Sequence, residues 1–234
     1  MKNTATLPDD REPRTVLATD IGGTHSRFAL FRVTPPADGV SPCAVQMLRR
    51  VTFRTAEHNN TGELFARLFK DGSEPALLTR AKNGRTAEGL AAATLAIPAA
   101  TKGRSPFRAP TPGECCPCAN IDWPICWSEA YEVLGIDTIH MINDFTAQGF
   151  ACAALPESLE AEPVRSGTPY EASPLSLFGA GTGFEQCLIL PGPAPVIFPA
   201  EGGHNLFPFE PSPLRILQPP RRYAFSHALF CLKQ

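Results

Sequence analysis

The sequence predicts an α/β protein with two similarly built lobes, and two observations carry that prediction. The first is a strand–turn–strand run. Val16-Leu17-Ala18-Thr19-Asp20 passes through Ile21-Gly22-Gly23-Thr24 into the apolar Phe28-Ala29-Leu30-Phe31. The second is its recurrence. Leu175-Ser176-Leu177-Phe178 enters Gly179-Ala180-Gly181-Thr182-Gly183, and Cys187-Leu188-Ile189-Leu190 follows as another apolar strand.

The turns suggest a chemistry. Glycines at a bend let backbone N–H groups approach a phosphate where a side chain would collide. A P-loop or a dinucleotide fingerprint would run on into a helix. The run after Thr24 reads instead as a strand, so the phosphate would sit in a β-hairpin turn. Asp20, at the end of the first strand, is placed to hold Mg²⁺ through water, because hard cations prefer oxygen ligands. One such turn is equally compatible with an ordinary tight hairpin; two of them favour the phosphate reading.

Bulk properties narrow the class. At 234 residues the chain is long enough for one large or two modest domains with proper cores. A formal charge of −2 gives no electrostatic case for nucleic acid or an anionic membrane. Leu90 to Ala100 is too short, and too interrupted by Pro98, to span a bilayer. The start Met1-Lys2-Asn3-Thr4 has no apolar signal region, so a cytoplasmic protein is expected. Eight cysteines without a signal peptide are then expected as free thiols rather than bridges. The 25 prolines, about twice the usual share, cluster at Pro106–Pro124 and Pro191–Pro220 and mark loops.

Four segments are expected along the chain: a flexible leader at 1–14, a small N-terminal α/β lobe at 15–145, a partial C-terminal lobe at 146–209 and a divergent Pro-rich tail at 210–234. Within the first lobe a third strand is expected near Ala44 to Arg54 and a helix around Thr61 to Lys70. Leu90 to Ile97 reads as helix from its alanines or as a buried strand ending at Pro98. Trp127 to Leu134 reads as a short helix stopped at Gly135. Thr138 to Ile142 reads as a buried strand leading through Asn143-Asp144 into a helix over Phe145 to Leu155.

Three clusters bear candidate chemistry. Asn143-Asp144 sits at a strand-to-helix junction, where α/β proteins place ligands. Asp144 could act as a general base on a hydroxyl attacking a phosphoryl group, its ionised form favoured by the helix N-terminus. It could equally be a plain N-cap. Glu201-Gly202-Gly203-His204 puts a carboxylate and an imidazole on a Gly-containing turn, suited to adjacent sugar hydroxyls or to a simple solvated loop. Cys115-Cys116-Pro117-Cys118, with Cys126 nearby, invites zinc, but no complementary ligand pair accompanies it. Cys43, Cys152, Cys187 and Cys231 read as core residues or bystanders.

Together these motifs resemble the bacterial glucokinases. The resemblance runs from about Val16 to about Phe209. It rests on Asp20-Ile21-Gly22-Gly23-Thr24, Ile142-Asn143-Asp144-Phe145-Thr146-Ala147, Gly179-Ala180-Gly181-Thr182-Gly183 and Glu201-Gly202-Gly203-His204, in the family's order. It implies a two-lobed actin-like (ribonuclease H-like) sugar kinase architecture with an incomplete second lobe. It implies transfer of phosphate from Mg-ATP to the glucose 6-hydroxyl, the first step of glycolysis, with lobe closure excluding water. Asp144 would be the catalytic base. Asn120, Asn143, Asp144, Glu201 and His204 would bind glucose. Gly22, Gly23, Thr24, Gly181, Thr182 and Gly183 would cradle the ATP phosphates, with Asp20 on Mg²⁺. Glucose and ATP are the implied partners, nucleic acid and membrane are not, and a homodimer is compatible.

Two departures stand out. The second turn continues Phe184-Glu185 where the family has Leu-Gly, bringing a carboxylate toward the phosphates. After Phe209 the family pattern is lost, and the chain ends well short of a usual member. A truncated or frame-shifted glucokinase is therefore expected, with helices that cover the second lobe's sheet missing and apolar surface left exposed. The alternative to an active kinase is an impaired remnant retaining at most sugar binding.

Overall fold

In the computed structural model the described residues are 12–38, 43–70, 76–82, 86–99, 113–118, 120–154, 173–180, 184–192 and 195–200. Residues 1–11 of the expected 1–14 leader, the turn Gly181–Gly183, the cluster Glu201–His204, Cys231 and the tail over 210–234 lie outside them. The chain divides into two compact units, Met1–Asp144 and Phe145–Gln234.

The first unit is built on a five-stranded sheet. Strands β1 (Arg14–Ile21), β2 (His25–Thr34) and β3 (Ala44–Arg54) form an antiparallel meander. β4 (Leu90–Ile97) and β7 (Ile139–Asn143) run parallel to β1, giving the order β3-β2-β1-β4-β7. The Gly/Thr segment joins two antiparallel strands, and Ile21 faces Ser26 across the ladder.

β4 resolves the ambiguity at Leu90 to Ile97. Its alanines favour a helix intrinsically, but it lies between β1 and β7, with Ala93, Leu95 and Ile97 fully buried. A central parallel strand is covered on both faces, and that burial overrides a weak local preference.

Helix α1 (Thr61–Ala66) continues as a single 3₁₀ turn over Arg67–Phe69, so the expected helix is present but tightens at its end. Helix α2 (Trp127–Leu134) stops at Gly135, whose φ of 65° is the left-handed conformation that ends helices on glycine. Leu17, Phe28, Leu64, Phe65, Leu95 and Leu134 are among the residues of one core, and the Phe28 and Phe65 rings meet edge to face at 5.3 Å.

One expectation fails. Cys115 and Cys126 form a disulfide, so these two cysteines are not free thiols. The cause is strand register: the two-residue strands β5 (Cys115–Cys116) and β6 (Ile125–Cys126) pair with Cys115 directly opposite Cys126. Cys43, Cys118, Cys152 and Cys187 are not bridged.

The second unit carries helix α3 from Phe145 onward, the helix running Asp144–Ala154 in all, and a three-stranded antiparallel sheet. Its strands are β8 (Leu175–Ala180), β9 (Phe184–Leu190) and β10 (Val196–Ala200), in the order β10-β9-β8. Phe145 and Cys152 of α3 pack on Leu177, Cys187, Ile189 and Ile197. The approach is close: a Cβ on Gly149 would lie 2.8 Å from Ile197 Cγ2, and one on Gly179 would run into the Phe145 ring.

The opposite face of that sheet is apolar and open. Leu188 and Leu190 pair across the ladder with Phe198 and Val196, and all four are at least 37% exposed. Among the described residues no helix is long and apolar enough to cross a membrane.

Candidate active site

Parallel pairing lines up the ends of three strands. Asp20 on β1 is level with Ala96 on β4, Ala96 with Ile142 on β7, and Ile97 with Asn143. Asp20 and Asn143 therefore stand at the same C-terminal sheet edge, two strand spacings or about 10 Å apart. Ligands of α/β sheets bind outside such edges. Asp144 follows directly and opens α3.

The Gly/Thr turn is held from behind. The Gly22 N–H donates to the His25 carbonyl at 3.0 Å, closing the hairpin. Thr55, just beyond β3, donates its hydroxyl to the Gly22 carbonyl at 2.6 Å and its N–H to the Thr24 carbonyl at 3.1 Å. Both Thr55 and Ser26, whose hydroxyls are 2.9 Å apart, are buried.

Asn120 reaches the same turn from a distant part of the chain. A Cβ built on Gly23 would lie 2.6 Å from the Asn120 carbonyl oxygen and 2.7 Å from its Cβ. Gly23 thus has a reason to be glycine apart from any ligand: the two backbones touch there. Asn120 lies between Cys115 and Cys126, so the disulfide closes the loop that carries it.

Asn143 is buried, and its amide donates to the Asp144 carboxylate at 3.0 Å and to the Ala99 carbonyl at 3.4 Å. It ties the Asp144 carboxylate to the end of β4. Cys118 lies close enough to feel that carboxylate. Burial, then Cys116, then Asp144 push the Cys118 thiol up to about 12, so it stays protonated.

Asp20 forms an ion pair with Arg27 at 2.8 Å, its partner across the β1–β2 ladder. The Asp20 side chain is 48% exposed and open to water, which suits an outer-sphere Mg²⁺. Among the described residues no cluster of three or more His, Cys, Asp or Glu side chains is placed to hold a metal ion directly.

The structure thus brings Asp20, Gly22, Gly23, Thr24, Asn120, Asn143 and Asp144 to one end of the first unit. Gly181, Thr182, Gly183, Glu201 and His204 lie outside the described residues. The β8–β9 ladder pairs Ala180 with Phe184 on either side of the second turn, and Glu185 stands in β9 opposite Gly179. Sequence reasoning missed Ser26, Arg27 and Thr55. Arg27 meets Asp20 only through the register of the β1–β2 ladder, and Thr55 carries no local signal at all.

The family model described as Glucokinase matches residues 17–218. A glucokinase of Nostoc punctiforme is 37% identical over 89 residues, 38% of this chain and 26% of that protein. A glucokinase of Paramagnetospirillum magneticum is 29% identical over 195 residues, covering 81% of this chain and 49% of the relative. The crystal structure of a glucokinase from an Antarctic psychrotroph superposes with a TM-score of 0.55 at 23% identity, over 82% of this chain and 51% of that one. A Balamuthia mandrillaris glucokinase solved with glucose gives 0.53 at 19%, over 88% and 53%. These likenesses establish the fold, that of the actin-like sugar kinases. The matches cover about half the length of some of these relatives and about a quarter of others. With the family model matched over most of its residues, this chain belongs to the glucokinase family.

Proposed function

We propose that the chain binds glucose and Mg-ATP and transfers the γ-phosphoryl group to the glucose 6-hydroxyl. The observation that carries this is the meeting of the Gly22–Thr24 turn, Asn120 and the Asn143–Asp144 pair at one sheet edge. Asp144 accepts the proton of the 6-hydroxyl as that oxygen bonds to the γ-phosphorus and the bond to the bridging oxygen of ADP breaks. Asn143 holds the Asp144 carboxylate in place. The Gly22–Thr24 amides receive phosphate oxygens, and Asn120 offers an amide to the sugar. Mg²⁺, when bound with the nucleotide through water on Asp20, neutralises phosphate charge. The sugar roles of Glu201 and His204 and the phosphate role of Gly181–Gly183 rest on their motifs.

The test is glucose-dependent ADP release by the purified chain at high Mg-ATP, beside Asp144→Asn. Turnover should fall by about 10²–10⁴-fold in the variant, the usual worth of a general base. The second reading is a chain that binds sugar without turning it over. Absence of turnover from a folded chain, with glucose still changing the fluorescence of Trp123 and Trp127, would establish that reading instead.

A further inference from the structure

Thr55 is absent from every motif, yet it bonds the candidate phosphate turn twice. Its single hydroxyl proton goes to the Gly22 carbonyl at 2.6 Å, because a carbonyl only accepts. The 2.9 Å contact with Ser26 must then be a donation from Ser26 to Thr55. The result is a relay from Ser26 through Thr55, both buried, to the half-buried Gly22 carbonyl. On the other limb, the Thr55 N–H fixes the Thr24 carbonyl at 3.1 Å.

Peptide planarity gives this relay a consequence. No peptide bond among the described residues is cis, and in a trans peptide the C=O and the following N–H point in opposite directions. With the Gly22 carbonyl drawn to Thr55, the Gly23 N–H faces away from it. Carbonyl oxygens carry partial negative charge and repel an anion, whereas the N–H end attracts one. A Gly-Gly peptide is otherwise easily turned over, since neither residue restricts it.

We propose that Thr55, backed by Ser26, is the positioning residue of the phosphate turn: it holds the Gly22 and Thr24 carbonyls back so that the Gly23 N–H meets the phosphates. This rests on the phosphate role given above to Gly22–Thr24.

The probe is magnesium tripolyphosphate, the charged part of the nucleotide alone, titrated into the chain by calorimetry with glucose titrated in parallel. Thr55→Val, which keeps shape and loses the hydroxyl, should bind tripolyphosphate about tenfold more weakly, one hydrogen bond's worth. Thr55→Ser should restore binding to within about twofold, and glucose affinity should be the same in both. A generally loosened fold would lose glucose affinity as well. Unchanged tripolyphosphate binding in Thr55→Val overturns the proposal while leaving the phosphate turn standing. No tripolyphosphate binding by the unaltered chain overturns the phosphate turn itself, and Thr55's role with it. If Thr55→Val does not fold, Ser26→Ala decides, with a loss of about threefold expected and none overturning the relay.

Discussion

Cys118 shows how far one residue's surroundings set its chemistry. Its neighbour Cys116 and the motif around it suggest a metal-binding or free thiol. The structure buries it beside Asp144 and raises it to about 12, with burial the first cause and the two nearby groups adding to it. At pH 8 essentially no thiolate exists, so iodoacetamide should label the exposed Cys43 and leave Cys118 intact, as read by peptide mass spectrometry. Because burial outweighs the carboxylate, Asp144→Asn should barely speed that labelling; fast labelling in the variant would make Asp144 the dominant cause. The site residues divide along the same line. Asp20, Asn143 and Asp144 were legible because a strand end and a strand-to-helix junction are local patterns. Thr55 and the contact of Asn120 with Gly23 were not, because each depends on segments brought together only by the sheet.

Most of the elements are legible in the sequence, since they are set by local periodicity and turn residues. β3 occupies the expected Ala44–Arg54 and α2 the expected Trp127–Leu134. β4 was ambiguous because its central position is a property of the sheet, and the Cys115–Cys126 bridge was missed because register is not written in cysteine spacing. Helix α1 offers an element-scale prediction. Asn60 accepts the Glu63 N–H at 2.7 Å, while Glu63 accepts the backbone and side-chain N–H groups of Asn59 at 3.0 Å each. The backbone bond first, then the side-chain bond, hold the Glu63 carboxyl below its ordinary 4.5. A folded value below the unfolded one means that the stabilisation is full above pH 4.5 and is lost as pH falls through the folded value. Thermal melts of Glu63→Gln should therefore lie below those of the unaltered chain above that pH and converge with them in acid. Parallel curves at all pH values would show that the charge contributes nothing.

At the scale of the whole molecule, two units with separate hydrophobic clusters need not unfold together. Among the described residues the first unit packs a five-stranded sheet and helices α1 and α2 around a core rich in fully buried Leu, Ile and Phe. Among the described residues the second packs one helix on one face of three strands and leaves Leu188, Leu190, Val196 and Phe198 in water on the other. Less apolar area removed from water means less stabilisation, at roughly 25 cal/mol per Å². The second unit should thus open first. The chain carries its own reporters: both tryptophans, Trp123 and Trp127, lie in the first unit, and Cys152 and Cys187 are buried in the second. Burial raises both thiols, Cys187 to about 11, so in the folded unit they resist alkylation and on unfolding they regain ordinary reactivity. Across a urea series, labelling of Cys152 and Cys187 should rise at a lower concentration than the tryptophan emission changes. Coincident midpoints would instead mean that the two units unfold as one cooperative body, with stability shared between them rather than held in each core.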